Sequence, residues 1–138
     1  MTGEYKHSLD SKGRIFVPAR LRDGLGKIFY VTMSMDRCLA VFAEDDWNDF
    51  TRRVGEMPYV KQKKMRPVFA GAVKCELDGQ GRILIPAALR KYAGLDKEVF
   101  VIGCGNHFEV WDAEVWSRVS EEESRPENIA AVMRELEI

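Results

Sequence analysis

Residues 9–22, LDSKGRIFVPARLR, return sixty-eight positions later as residues 77–90, LDGQGRILIPAALR. Nine of the fourteen positions are identical, including the aspartate, glycine and arginine of a D-x-x-G-R motif. A weaker similarity continues from residues 27–47 to residues 97–116. Similarity at a fixed separation indicates a tandem duplication, here of a unit about forty-five residues long.

Each copy contains signals for a small β-rich unit. In the first copy, EYKHSLD alternates polar and apolar residues and RIFVP is rich in β-formers, which predicts two short strands. Asp10 and Gly13 favour a tight turn between them, so we expect a hairpin with its tip at Ser11 and Lys12. Pro18 then favours the start of a short helix. Two further strands follow, giving the order β-β-α-β-β.

Four strands and a small helix bury too little apolar surface to be stable alone. The two copies are therefore expected to share one core, as a mainly β (α+β) pseudo-two-fold β-barrel. The expected organisation is a first repeat at residues 5–47, a helical linker at 48–75, a second repeat at 76–119 and a C-terminal helix at 120–138, with the helices flanking the barrel.

Composition fits an ordinary folded protein of 138 residues, with 46% hydrophobic and 31% charged residues. The sequence shows no apolar run long enough to span a membrane and no signal peptide, so we expect a cytoplasmic protein with no membrane partner. The net charge is −1, but residues 1–30 carry +3 and residues 112–138 carry −5. The N-terminal part of the chain is therefore basic and the C-terminal part acidic.

The sequence favours no catalytic or metal site, and no cofactor or small-molecule substrate is expected. Three cysteines, an odd number without C-x-x-C spacing, argue against a disulfide framework and a zinc site. The only histidines are His7 and His107. Cys104, three residues before His107, could be an activated thiolate, but a small residue in a tight turn is the favoured interpretation. GCGNHF also lacks the third glycine of a dinucleotide-binding loop.

The two turns are the strongest candidates for binding. Lys12 and Arg14 lie at the first turn and Arg82 at the second, and an arginine on a rigid turn can bind phosphate or guanine bidentately. The alternative is that Arg14 and Arg82 only pair with Asp10 and Asp78, and the sequence leaves both possibilities open. Lys61, Lys63, Lys64 and Arg66 form a second basic run, which is interpreted first as a solvated helix face.

The motifs DSKGR and DGQGR, each followed by a β-rich run and Pro-Ala, resemble those of the MraZ family of bacterial transcriptional regulators. The stretches VFVIG and FEVWD fit as well, so the resemblance covers nearly the whole chain. It implies two swapped-hairpin repeats similar to those of the AbrB superfamily. It also implies a sequence-specific DNA-binding protein, associated with the nucleoid, that acts on the promoter of its own cluster of cell-division and cell-wall genes.

The resemblance further implies a ring-shaped homo-oligomer whose D-x-x-G-R turns face direct repeats in double-stranded DNA. Carried onto this sequence, it makes Lys12, Arg14 and Arg82 the DNA-binding residues. The turn-supporting residues are Asp10, Gly13, Asp78 and Gly81. Because Lys12 accompanies Arg14, we expect the first motif to bind DNA more strongly than the second. Two rival hypotheses remain, a protein–protein module that uses the same turns and an enzyme that uses Cys104 and His107.

Overall fold

The computed structural model describes all 138 residues and contains eight strands and seven α-helices. The first half consists of β1 (Glu4–Ser8), β2 (Arg14–Phe16), α1 (Ala19–Leu25), β3 (Phe29–Met33) and β4 (Leu39–Ala43). Three helices follow, α2 (Glu44–Gly55), α3 (Tyr59–Lys64) and α4 (Arg66–Ala70). The second half consists of β5 (Val73–Cys75), β6 (Arg82–Leu84), α5 (Ala87–Ala93), β7 (Glu98–Gly103), β8 (His107–Asp112), α6 (Ala113–Glu123) and α7 (Pro126–Glu135).

The protein is α+β, with one six-stranded antiparallel sheet in the order β1-β7-β8-β4-β3-β5. β2 and β6 form a separate two-stranded antiparallel ribbon. The strands β1, β3 and β4 of the first half are equivalent to β5, β7 and β8 of the second. Exchanging each strand for its equivalent gives the same sheet order in reverse. In the ribbon Ile15 lies opposite Ile83, its counterpart sixty-eight residues later. The two halves are therefore related by an approximate two-fold axis through the ribbon.

Two details of the expected architecture are wrong. The sheet does not close into a barrel, because β1 and β5 are its edges and do not pair with each other. β1 and β2 also do not form a ladder with each other, since β1 pairs with β7 and β2 pairs with β6. The predicted turn between them is present, but it connects two different sheets.

The expectation of a shared core is confirmed. The central apolar cluster contains sixteen buried residues, eight from each half of the chain. The ribbon contributes Ile15 and Ile83 from its inner face, and both side chains are fully buried. Neither half contains this core alone, so burial of apolar surface couples the folding of the two halves.

Residues 48–75, the expected helical linker, contain α3, α4 and all of α2 after its first turn, and they end in the strand β5. α2 has three acidic residues in its first turn and Arg52 and Arg53 in its last. This charge distribution complements the helix dipole. Trp47 of α2 stacks on Tyr30 of β3 with the ring centroids 5.0 Å apart, which fixes the helix on the sheet. Pro67, near the start of α4, does not interrupt a helix.

α7 follows α6 directly and begins at Pro126, where proline is well tolerated. None of its residues is buried, although Ile129, Val132 and Met133 lie at helical spacing. Leu136, just beyond the helix, is 65% exposed. One face of α7 is therefore apolar and uncovered within a single chain. No helix of the protein is both long enough and apolar enough to cross a bilayer.

Candidate nucleic-acid interface

The first turn is organised by the carboxylate of Asp10. Its Oδ1 accepts hydrogen bonds from the backbone N–H groups of Lys12 and Arg14, both at 2.9 Å. Its Oδ2 accepts a third from Arg14 Nε at 2.8 Å. These bonds stabilise the ionised carboxylate, so the backbone donor of Arg14 above all lowers the pKa of Asp10 to about 2. Asp10 therefore fixes both the turn and the Arg14 side chain.

The second turn repeats this geometry. Asp78 Oδ1 accepts from the backbone N–H groups of Gln80 and Arg82 at 2.9 Å, and Oδ2 accepts from Arg82 Nε at 2.8 Å. The pKa of Asp78 is lowered for the same reason, first by the backbone donor of Arg82. The variable positions of the motif contribute only backbone groups to the turn, which explains why Ser11-Lys12 and Gly79-Gln80 can differ.

The glycine of each motif has a backbone conformation that side chains rarely adopt, and its carbonyl bonds to the other half of the protein. Gly13 and Gly81 have positive φ values of 82° and 76°. The carbonyl of Gly13 accepts from Ile85 N–H at 2.8 Å, and that of Gly81 accepts from Val17 N–H at 3.0 Å. Each turn is therefore attached to the opposite repeat.

Two further arginines pack against these glycines. The Arg90 guanidinium occupies the space that a Cβ on Gly13 would fill, and Arg22 does the same at Gly81. Arg22 is held by a hydrogen bond from its Nε to the carbonyl of Val17 at 2.8 Å. Neither arginine forms an ion pair. Each completes the motif of the other repeat.

The β2–β6 ribbon brings the two turns together. Arg82 Nη1 lies 3.8 Å from Asp10 Oδ2, so the two motifs are in direct electrostatic contact. With Lys12, four arginines and two aspartates, the two turns and the arginines packed on them carry a net charge of +3. The Asp10 and Asp78 bonds use the Nε atoms, which leaves the Nη groups of Arg14 without an intramolecular partner. Those groups are free to donate to an external acceptor.

Apolar side chains alternate with the arginines on the outer face of the ribbon. Phe16 lies opposite Arg82 and Leu84 lies opposite Arg14. Phe16 is 43% exposed and Leu84 is 57% exposed. The Arg82 guanidinium carbon lies 5.9 Å from the centre of the Phe16 ring, within range of a cation–π contact. The outer face thus combines positive charge with exposed apolar groups.

The structure brings all seven predicted motif residues together, five of them at the surface and Gly13 and Gly81 buried beneath the guanidinium groups of Arg90 and Arg22. Lys12 is exposed at the tip of its turn, whereas the Arg14 and Arg82 side chains are only 30% and 18% exposed. The Asp10–Arg14 and Asp78–Arg82 ion pairs, which the alternative interpretation expected, are formed. The Asp10–Arg14 pair uses Nε and leaves the Nη groups of Arg14 without a partner. Sequence reasoning gave no role to Arg22 and Arg90, although both are the identical last residue of the fourteen-residue repeat.

The basic run Lys61, Lys63, Lys64 and Arg66 is exposed on α3 and α4, as expected for a solvated face. Lys63 lies over the Tyr59 ring at 5.5 Å, and Tyr59 also accepts from Arg66 at 3.3 Å. These contacts are local to the two helices.

Cys104 does not have the properties of an activated nucleophile. Burial, followed by the nearby Glu109 carboxylate, raises the pKa of its thiol to about 12. The thiol is therefore protonated at neutral pH, whereas a catalytic cysteine requires a depressed pKa. The raised pKa of the Cys104 thiol argues against the enzymatic alternative.

Comparison with known proteins gives a consistent result. The family model of the MraZ protein matches residues 1–66 and 68–137. A protein of Carboxydothermus hydrogenoformans named "Transcriptional regulator MraZ" is 46% identical, over 83% of this chain and 82% of its own length. Proteins with the same name from Acetivibrio thermocellus and Halothermothrix orenii are 41% and 44% identical, each over 99% of this chain and 98% of their own.

Proposed function

The chain belongs to the MraZ family, and we propose on that basis that it is a transcriptional regulator that binds double-stranded DNA through its two D-x-x-G-R turns. Its relatives from the three bacteria are named as transcriptional regulators and not as enzymes. The observation that carries the proposal is the pair of equivalent turns, side by side on one basic surface, each with an arginine held by an aspartate.

The ribbon supports a specific mode of contact. A two-stranded β-ribbon fits the major groove of B-DNA, where arginine pairs bidentately with guanine and apolar groups contact the thymine methyl. Arg14 has free Nη donors, and Phe16 and Leu84 are exposed beside the arginines. We assign Lys12 to phosphate contact, because its side chain is exposed at the tip and forms no ion pair.

The proposal includes assembly into a ring-shaped homo-oligomer. The uncovered apolar face of α7 supports self-association, because an exposed apolar stripe on a helix is stabilised when a partner covers it. In a ring, several basic surfaces could contact direct repeats in one promoter. Binding of the second repeat would then be effectively intramolecular, which raises the overall affinity.

We place this activity on the promoter of the protein's own cluster of cell-division and cell-wall genes, in the cytoplasm and associated with the nucleoid. We also propose that residues 5–47 and 76–119 are AbrB-like repeats, joined by a linker at 48–75 and followed by a C-terminal segment at 120–138. The exchange of paired strands between the halves supports two repeats, and β5 (Val73–Cys75), the counterpart of β1, lies directly before the proposed start of the second repeat.

Fluorescence anisotropy with labelled upstream DNA tests the proposal. We expect tight, strongly salt-dependent binding to DNA with several boxes and much weaker binding to DNA with one box. Scrambled DNA should compete poorly, and an acidic peptide should not compete at equal charge concentration. Equal affinity for one box and several boxes would refute multivalency, and preference for the acidic peptide would favour the protein–protein alternative.

A further inference from the structure

The hairpin between β7 and β8 carries three side chains whose donor atoms converge: Cys104, His107 and Glu109. The Cys104 sulfur, a His107 ring nitrogen and a Glu109 carboxylate oxygen all lie within 4.8 Å of one another, and the three residues are partly buried. The cluster lies away from the DNA-binding surface. Ser8, next to the first turn, pairs with Glu98, whereas the hairpin follows Gly103 at the other end of β7.

The contacts of His107 leave a lone pair directed into this cluster. Asn106 Oδ1 lies 2.8 Å from Nδ1, which fits a hydrogen bond donated by Nδ1–H. In that tautomer Nε2 carries a lone pair, and the Glu109 carboxylate lies 3.7 Å from it. That separation is too long for a hydrogen bond. Two electron-pair donors thus face each other with a thiol beside them, an arrangement suited to a cation.

We propose that Cys104, His107 and Glu109 form a Zn²⁺-binding site. Thiolate, imidazole and carboxylate are ligands that zinc accepts, at about 2.0–2.3 Å from the metal. The ligand atoms of a tetrahedral ion with such bonds are about 3–4 Å apart, so small side-chain rotations bring these three donors into place. Three protein ligands leave a fourth position for water.

The surroundings hold the ligands in position. The backbone N–H of Cys104 donates to the carbonyl of His107 at 2.9 Å, which fixes the C-x-x-H turn. Trp111 Nε1 donates to Glu109 Oε1 at 2.9 Å and so orients the carboxylate. Outer contacts of this kind orient metal ligands and increase affinity. Trp111 also provides an intrinsic fluorophore next to the site.

The absence of a zinc pattern in the sequence has a simple explanation. His107 and Glu109 are two residues apart on β8, and alternate residues of a strand share one face. The hairpin turn then brings Cys104 to the same face. Strand alternation and the turn assemble a site that sequence spacing alone does not predict.

Zinc titration of the full-length, metal-free chain with a competing chromogenic chelator tests the site. We expect one equivalent to bind, with fluorescence of the tryptophans changing at the same stoichiometry. Co²⁺ substitution should give a thiolate-to-metal charge-transfer absorption and the visible bands of a tetrahedral site. Cys104→Ser and His107→Gln should each weaken Zn²⁺ affinity by about a hundredfold or more. Affinity should increase with pH, because Zn²⁺ displaces the thiol proton.

The chain contains matched controls for both substitutions. Cys75→Ser changes a partly buried cysteine on β5, and His7→Gln changes the other histidine, on β1. Both variants should bind Zn²⁺ like the wild type, and Cys75→Ser should retain the charge-transfer absorption. The site is overturned if wild type binds Zn²⁺ no more tightly than a Cys104→Ser/His107→Gln/Glu109→Gln variant that remains folded by circular dichroism.

Discussion

Asp10 holds the Arg14 guanidinium through Nε and leaves both Nη groups free to donate. The same contact therefore closes the turn and holds the arginine side chain in one orientation. A preorganised guanidinium loses less conformational entropy on binding than a mobile one. The structural and DNA-binding interpretations of the ion pair are compatible, and the second depends on the first.

Arg14 and Arg82 are predicted to contribute unequally to DNA binding. Arg14 is the more exposed of the two and has Lys12 beside it, whereas Arg82 Nη1 also lies near Asp10. Arg14→Ala should weaken operator binding by about 1–3 kcal/mol if the contact is to a base, and Arg82→Ala should weaken it less. Anisotropy titrations at fixed salt measure both affinities.

Arg52→Ala is the matched control, because Arg52 is an exposed, ion-paired arginine on α2. It removes the same charge from the linker and should leave operator affinity almost unchanged. An Arg14→Ala protein that is folded and binds like the wild type would remove Arg14 from the interface.

The low pKa of Asp10 predicts a pH dependence of stability. The pKa is about 2 in the folded protein and 3.8 in the absence of the turn, so folding favours the ionised form. The stabilisation that the Asp10 carboxylate gives the folded protein is fully present above its pKa in the unfolded chain. It is lost as the pH falls toward 2. The difference in the free energy of unfolding between wild type and Asp10→Asn should therefore shrink from about pH 4 to pH 2. Urea unfolding across this range measures it, and a constant difference would contradict the assignment.

At the scale of elements, sequence reasoning predicted strands and turns more accurately than their pairing. Alternation in EYKHSLD and the turn-forming residues Asp10 and Gly13 are local signals, and β1 and the turn are present. The partners of β1 and β2 lie more than sixty residues away, so the exchange of strands depends on long-range contacts. The same reason applies to Arg22 and Arg90, whose positions depend on glycines of the opposite repeat.

Gly13→Ala is predicted to destabilise the first turn. An alanine would have to adopt a positive φ, and its Cβ would collide with the Arg90 guanidinium. The left-handed conformation alone costs about 1–2 kcal/mol for a residue with a side chain. Gly79→Ala is the matched control in the second turn, because its φ is ordinary and no atom lies within 4 Å of the position that an alanine Cβ would occupy. Thermal unfolding should show a clear loss for Gly13→Ala and almost none for Gly79→Ala; equal stabilities would contradict this account.

At the scale of the whole molecule, the duplication serves the core and the proposed binding surface together. Eight buried residues from each half form one core, and the ribbon on the two-fold axis places the two turns side by side. One chain therefore presents two arginines at a fixed separation. Each repeat depends on the other, because the arginine that packs against the glycine of one motif comes from the opposite repeat.

The apolar face of α7 is predicted to mediate assembly of several such surfaces. Ile129, Val132 and Leu136 are 46%, 58% and 65% exposed, so replacing all three by glutamine changes no side chain of the buried core. The triple variant should remain folded but sediment as a smaller species than the wild type. Its affinity for DNA with several boxes should fall toward that for one box, while single-box affinity is unchanged because the turns are intact. Met35→Gln, at another exposed apolar position, should alter neither property. An unchanged sedimentation coefficient in the triple variant would show that α7 does not hold the assembly together.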